Sequence, residues 1–254
     1  MIIVKTAEEL EIMREACVIG ARALRVAGES VESGMTTAYL DKIIYDCITD
    51  YGAVPSFLNY GGFPASACIS INEEVIHGIP SAKRTVQDGD IVSVDVGAFF
   101  KGFHSDNAAT FMVGEVSQEN ERLVAVTQES LGFGVNAAVV GATIGDISSA
   151  IQKHVEVNGF SIVRDFVGHG VGRNLHEEPA VPNFGEAGSG EVLVSGMTLA
   201  IEPMVVRGRA YVKVRGDGWT VVTRDGSCSA HFEHTVLVTE GGPQILTESN
   251  DGKR

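Results

Sequence analysis

The sequence predicts an α/β (α+β) protein of two similar halves, each a helix pair followed by antiparallel sheet, on three observations. Four segments carry helical periodicity and fall into two pairs. Glycines recur at a fixed shift of 107 residues, and each half holds an acidic residue inside an otherwise apolar strand.

The elements follow in order. Thr6-x-x-Glu9 is a capping box, and Leu10, Met13, Cys17 and Leu24 recur on one face behind it. A second helix starts after Thr36 or Thr37, buries Leu40, Ile43, Ile44 and Cys47, and stops at Gly52. Ser117 caps a third, with Leu123, Val126, Ser130 and Leu131 in register. The fourth runs from about Gly145 to Asn158-Gly159, a C-cap pair.

The shift of 107 maps Gly34 onto Gly141, Gly52 onto Gly159, Gly61 onto Gly168, Gly78 onto Gly185, Gly89 onto Gly196, Gly134 onto Gly241 and Gly145 onto Gly252. It also carries Asp95 in Ile91–Val96 onto Glu202 in Thr198–Glu202. His104-Ser105-Asp106 corresponds to His231-Phe232-Glu233 at a shift of 127. The second half therefore has about 20 extra residues between its acids, around Gly216-Asp217-Gly218-Trp219. Nothing in the composition marks a linker, so residues 1–254 read as a single domain with half-repeats at about 5–113 and 114–247.

Composition bounds the function. The chain has 254 residues and a formal net charge of −14, from 19 Lys+Arg against 33 Asp+Glu, which argues against nucleic acid as the main partner. With 44% hydrophobic and 20% charged residues it is not a disordered chain. Thirty glycines exceed the usual share of about 7% and call for a backbone reason. The N-terminus carries no signal-peptide core, and no stretch is long and apolar enough to span a membrane. Cys17, Cys47, Cys68 and Cys228 lack CxxC or zinc-ribbon spacing and read as free thiols of a reducing cytosol.

A carboxylate within a Val/Ile-rich strand is costly unless it is paired or bound to metal. A hairpin turning at Lys101-Gly102 puts Asp95 and Asp106 on one face, directly opposite or diagonal. Two matching acid pairs without an adjoining Lys or Arg favour a divalent cation over ion pairing. His169, in Val167-Gly168-His169-Gly170-Val171-Gly172, adds a nitrogen ligand. That run lacks the G-x-G-x-x-G spacing and the strand–turn–helix context of a dinucleotide site. Four carboxylates and one imidazole suit Mn, Fe(II), Co or catalytic Zn, and their charge suits two ions.

Asp95, Asp106, His169, Glu202 and Glu233, with His77 and His176, resemble the pattern of type I methionine aminopeptidases. The phrases Cys68–Glu73, His77-Gly78-Ile79-Pro80, Gly168–Arg173 and Gly196–Met204 agree, and the likeness runs from about Lys5 to Leu246. Without an N-terminal extension, the chain looks like the short bacterial form. The resemblance implies the pseudo-twofold "pita-bread" fold around a dinuclear metal site. It implies that Asp106 and Glu233 bridge two divalent ions, that Asp95 chelates one, and that His169 and Glu202 complete the other. A water between such ions is acidified and attacks the first peptide carbonyl, with Glu202 as proton shuttle. His176 stabilises the oxyanion and His77 sits near the scissile amide nitrogen.

The same pattern implies a methionine pocket of Tyr60, Phe63, Cys68, Leu175 and Trp219, since a thioether packs well against ring edges. It implies a Na or K ion on backbone carbonyls near Asn72, Glu74 and Ser229. His104, His154, His231 and His234 read as structural hydrogen-bonders, with His231 and His234 supporting the ligand they flank.

The function implied is removal of the initiator methionine from nascent chains whose second residue is small. It belongs to a cytoplasmic monomer with nascent N-termini as partners, the ribosome as a further one, and neither DNA nor membrane. The alternatives are an X-Pro aminopeptidase or dipeptidase relative and a catalytically dead pita-bread binding module. A thiol-protease reading of Cys68 with His77 has no other support in the sequence.

Overall fold

Thr6 opens the first helix with both bonds of a capping box. Its hydroxyl accepts from the Glu9 N–H, and the Glu9 carboxylate accepts from the Thr6 N–H. Helix α1 (Ala7–Ser30) buries Met13, Cys17 and Leu24, and Leu10 packs against the cluster that holds Met13 and Cys17. Helix α2 (Thr37–Asp50), capped by Thr36, buries Leu40, Ile44 and Ile48. Ile43 and Cys47, expected inside, are only half-buried, because the inward stripe runs i, i+4, i+8 and Ile48 takes the third place. Ser117 accepts from the Asn120 N–H to start α3 (Gln118–Ala137), which buries Leu123, Val126, Ser130 and Leu131. Helix α4 (Ile144–Val157) spans the same 14 residues as α2 moved by 107.

The computed structural model describes residues 2–248, so Gly252 and the outer ends of the expected domain lie outside the described residues. Within them the repeat is conformational. Gly34 and Gly141 have φ of 91° and 86°, Gly52 and Gly159 of 70° and 80°, Gly89 and Gly196 of 89° and 92°. Each supplies the left-handed backbone that a side chain resists. Thr36 bridges Thr85 and Thr143 bridges Val192, again 107 apart on both sides. Other expected pairs differ. Gly61 has φ 57° whereas Gly168 lies in a strand, Gly185 but not Gly78 has positive φ, and Gly134 lies in α3 whereas Gly241 is in a turn.

The strands of the first half are β1 (Val54–Pro55), β2 (Ala67–Ile71), β3 (Glu74–Ile76), β4 (Ile91–Phe100) and β5 (Phe103–Met112). Those of the second are β6 (Ser161–Ile162), β7 (Gly168–Gly170), β8 (Glu177–Val181), β9 (Thr198–Ile201), β10 (Met204–Val206), β11 (Val212–Val214), β12 (Val221–Thr223), β13 (Ser229–His231), β14 (Glu233–Leu237) and β15 (Gln244–Ile245). One sheet joins the halves in the order β1-β4-β5-β14-β9-β7-β8, with β2 also on β4 and β15 on β14. Lys101 and Gly102, at φ 48° and 92°, make the two-residue turn of the β4–β5 hairpin. The second hairpin closes over a distance: β9 and β14 pair from Thr198↔Leu237 to Ile201↔His234. Between them the chain builds two three-stranded sheets, β13-β10-β6 and β11-β12-β3.

The pleat decides which side faces the helices. Val92, Val94, Val96 and Ala98 pack in one core with α1 and α2. Ser105 and Asn107 point at Gly20 of α1, where an added Cβ would sit 2.5 Å from Ser105 Oγ. Alternation then sends Asp95 and Asp106 to the opposite face. Antiparallel sheet with paired helices behind each half is the pita-bread architecture.

Candidate active site

Four carboxylates and one imidazole converge on that opposite face. Asp95 lies across from Ala108, and Asp106 across from Gly97, so the two acids are diagonal neighbours. Glu233 faces Ala108 where β14 meets β5, and Glu202 directly follows β9. His169 lies across from Ala200. Its Nε2 is 3.7 Å from Asp106 Oδ2 and 3.6 Å from Glu202 Oε1. Ligand atoms of Asp106, His169 and Glu233 all fall within 4.8 Å of one another. The glycines flanking His169 admit neighbouring strands: a Cβ at Gly168 would lie 2.3 Å from the Ala200 oxygen, and one at Gly170 2.4 Å from the Glu178 oxygen.

Burial raises all four acids. Asp95 is pushed up to about 7 by burial and by Glu202, against the pull of His231 and a hydrogen bond with Asp106. Burial lifts Glu202 to about 8. Asp106 and Glu233 lie well above the carboxylate range, through burial and then the neighbouring acids. His169 falls to about 4 through burial and His176. Its Nδ1 donates to the Gly170 carbonyl at 2.9 Å, which leaves the Nε2 lone pair toward the acids.

This donor set fits divalent metal. Asp95 Oδ1, Asp106 Oδ1 and Glu233 Oε1 are buried without a hydrogen-bond partner. Orphaned oxygens on adjacent acids are costly alone and are the ligands a hard or borderline cation takes.

A cavity of about 130 Å³ opens onto the cluster, and its lining includes all five of these residues. Its other walls bring together every residue expected of the substrate pocket: Tyr60, Phe63, Cys68, His77, Leu175, His176 and Trp219. Phe63 and Trp219 meet edge to face at 5.2 Å, and the His77 ring is 6.1 Å from Trp219. His77 has φ 58°, and Gly78 behind it has no room for a Cβ, which would lie 2.2 Å from the Ile69 oxygen. The His176 ring lies 4.2 Å from that of His169, and Nδ1 is 2.9 Å from the Tyr60 hydroxyl. Burial lowers His77 to about 4 and also lowers His176. Cys68 sits across from Asp95, and burial together with that charge holds its thiol well above the usual range. A protonated thiol is no nucleophile.

Three contributors escaped the sequence reading or were undervalued by it. Phe57 lines the cavity from a loop without periodicity. Asn183 donates from Nδ2 to the Glu202 carbonyl at 3.0 Å. His231, read as a supporting structural residue, is buried with Nε2 3.6 Å from Glu202 Oε2. Only its place two residues before Glu233 hinted at this.

The other histidines have local partners: His104 with Ser56, His154 with Glu129, and His234 with Thr247. At the expected alkali-metal position Asn72 adopts φ 56°, and its carbonyl accepts the Ser229 N–H at 2.7 Å. The Glu74 carboxylate there accepts from the Ile71 N–H.

The pattern of metallopeptidase family M24 matches residues 11–240. A methionine aminopeptidase from Clostridium acetobutylicum is 52% identical over 247 residues, covering 97% of this chain and 99% of that protein. Methionine aminopeptidase 1 of Bacillus subtilis is 49% identical over the same length and shares. The crystal structure of a Thermotoga maritima methionine aminopeptidase superposes with a TM-score of 0.96 at 47% identity, covering 98% of this chain and all of that one. The chain belongs to metallopeptidase family M24.

Proposed function

We propose that this chain is a metal-dependent methionine aminopeptidase that removes the N-terminal methionine of nascent proteins when the second residue is small. One observation carries the reading: an apolar, aromatic-walled pocket ends on a cluster of four acids and an imidazole with unpartnered oxygens. Full-length similarity to methionine aminopeptidases supports it. In this reading Asp95, Asp106, His169, Glu202 and Glu233 would together hold two divalent ions. The ions are drawn from Mn, Fe(II), Co and Zn. When bound, they acidify a water and polarise the scissile carbonyl.

The chain's own groups do the rest. Phe63, Cys68, Leu175 and Trp219 desolvate the methionine side chain and fix the first peptide bond over the acids. Glu202 takes the proton of the attacking water and returns it to the leaving amine. His176 Nδ1 lies 2.9 Å from the Tyr60 hydroxyl; in this reading it accepts there, and Nε2 carries the proton donated to the developing oxyanion. His77, neutral and fixed by its left-handed backbone, hydrogen-bonds near the scissile nitrogen. We assign residues 1–254 to one domain with half-repeats at about 5–113 and 114–247. We place the protein in the cytoplasm as a monomer that meets nascent chains at the ribosome, and a Na or K ion near Asn72, Glu74 and Ser229.

The test is peptide hydrolysis after chelation and metal add-back. Met-Gly-Ser should release methionine only with divalent metal, and Met-Lys-Ser should release little. Equal cleavage of an X-Pro peptide, or no cleavage with any of the four metals, overturns the assignment.

A further inference from the structure

Trp219 closes one wall of the pocket from an exposed turn, which raises the question of what holds it there. Residues 213–218 are exposed, so in the β11–β12 turn it is Trp219 itself that packs against the apolar pocket cluster, meeting Phe63 edge to face. Two polar devices add to that contact. The Asp217 carboxylate accepts from the N–H groups of Trp219 and Thr220, each at 2.9 Å, and from the Thr220 hydroxyl at 2.6 Å. Arg215 closes the turn through its backbone, donating to the Thr220 carbonyl and accepting from the Gly218 N–H. Its guanidinium then reaches off the hairpin, to Glu74 Oε1 at 2.5 Å and Glu73 Oε1 at 2.8 Å.

Those acids belong to the segment that ends in His77. Glu74 starts β3, which pairs with β12 and leads directly into His77. Glu74 is buried, and its other oxygen accepts from the Ile71 N–H. A charge-assisted contact to a buried carboxylate is far more directive than an exposed ion pair. The Arg215 fork thus ties the turn carrying Trp219 to the strand that leads into His77, whose ring meets that of Trp219 edge to face at 6.1 Å.

We propose that Arg215 is a positioning residue for substrate selection: clamped to Glu73 and Glu74, it fixes Trp219 as the pocket wall. This rests on the pocket receiving the methionine side chain. It predicts that loss of the clamp acts on side-chain binding and leaves the acid cluster unchanged.

Trp219 is the single tryptophan of the chain, so intrinsic fluorescence reads the clamp directly. Arg215→Met should red-shift the emission and increase quenching by acrylamide. It should raise KM for a Met-Gly-Ser peptide about tenfold with kcat nearly unchanged, a loss of the size hydrophobic-pocket contacts carry. Arg215→Lys, which keeps the charge but loses the fork, should restore part of both readouts. Because Arg215→Met leaves the buried Glu74 carboxylate with only the more distant Arg84 as a cation, at 3.9 Å, Arg215→Met/Glu74→Gln separates clamp loss from misfolding and should show the same shift. Glu73→Gln, on the exposed arm, should move both readouts less and in the same direction. Wild-type emission and KM in a folded Arg215→Met or in the double variant overturn the proposal. If the wild-type protein released no methionine, the functional reading would fail, and the emission and quenching of Trp219 would still decide whether Arg215 fixes it.

Discussion

The two hairpins that carry the acids reach one geometry by different routes. In the first, β4 and β5 run ten residues each and turn on Lys101-Gly102, so Asp95 and Asp106 are placed by local pairing alone. In the second, β9 and β14 are short, and residues 202–232 lie between them. Those residues form the β10–β13 and β11–β12 strand pairs and deliver Trp219 and His231 to the site. The duplicated scaffold builds the acid cluster. The asymmetric insertion shapes the pocket and brings His231 beside the Glu202 carboxylate, while Asn183, from the segment after β8, donates to the Glu202 carbonyl.

The largest expected effect tests whether these equivalent acids differ in role. Asp95 and Glu202 are related by the shift of 107, yet only Glu202 is assigned the proton shuttle. Glu202→Gln should lower kcat/KM by about a thousandfold or more at any metal concentration. Asp95→Asn should be partly rescued by excess Mn, because a weakened ligand is corrected by mass action. Equal, unrescued losses in a metal titration would make the two positions functionally symmetric.

Next in size is the anchoring of the second half. Lys5 and Glu177 form an ion pair at 2.6 Å, with both side chains only 2% exposed, directly beside His176. Removing one partner of such a pair costs about 3–5 kcal/mol, so Lys5→Met should give a large drop in urea-unfolding stability. The first half's Lys42–Asp46 pair is also 2.6 Å long, but its side chains are 65% and 51% exposed. Lys42→Met should leave the urea midpoint nearly unchanged. Similar midpoints for the two variants would mean that burial does not set the difference.

The shared acid cluster gives a pH signature. Asp95 at about 7 and Glu202 at about 8 are raised above the ordinary carboxylate values near 4. At these acids the folded protein without metal therefore binds more protons than the unfolded chain between about pH 4 and pH 8, a contribution fullest below the unfolded values and lost as pH rises through about 7 to 8. His77, His104, His169 and His234, lowered by burial to about 4, act in the opposite direction up to their unfolded values near 6.5, so the net fall is read above that pH. Metal binds the deprotonated ligands, so Mn should flatten or reverse that fall. Thermal melts of chelated and Mn-loaded protein check this. A chelated protein that grew more stable from pH 7 to 8 would contradict the burial that raises these acids.

Much of this was legible in the sequence because it is local or periodic. The caps at Thr6 and Ser117, the turn at Lys101-Gly102 and the facing of Asp95 and Asp106 follow from short-range stereochemistry. The place of Ile48 over Ile43 was less legible, because both are apolar and only the neighbouring strands choose the stripe. The pocket residues came from resemblance: nothing local to Tyr60 or Trp219 says that they line one cavity. Phe57, Asn183 and the Arg215 clamp join segments far apart in sequence and leave no periodic trace.

The smallest effect tests the repeat itself. Gly34 and Gly141 have φ of 91° and 86°, and neither has an atom within 4 Å of the place a Cβ would take. The cost of alanine there is the left-handed backbone alone, about 1 kcal/mol, and should be equal in the two halves. Gly61 and Gly168 are related by the same shift but not by conformation. Gly61→Ala meets Trp219 at 3.3 Å in a left-handed turn, whereas Gly168→Ala drives a Cβ to 2.3 Å from the backbone of β9, beside His169. The first should lose a little stability and alter Trp219 fluorescence, and the second should lose more stability and metal affinity together. If Gly34→Ala and Gly141→Ala differed in urea midpoint by more than Gly61→Ala and Gly168→Ala, conformational identity would not be what the shift of 107 records.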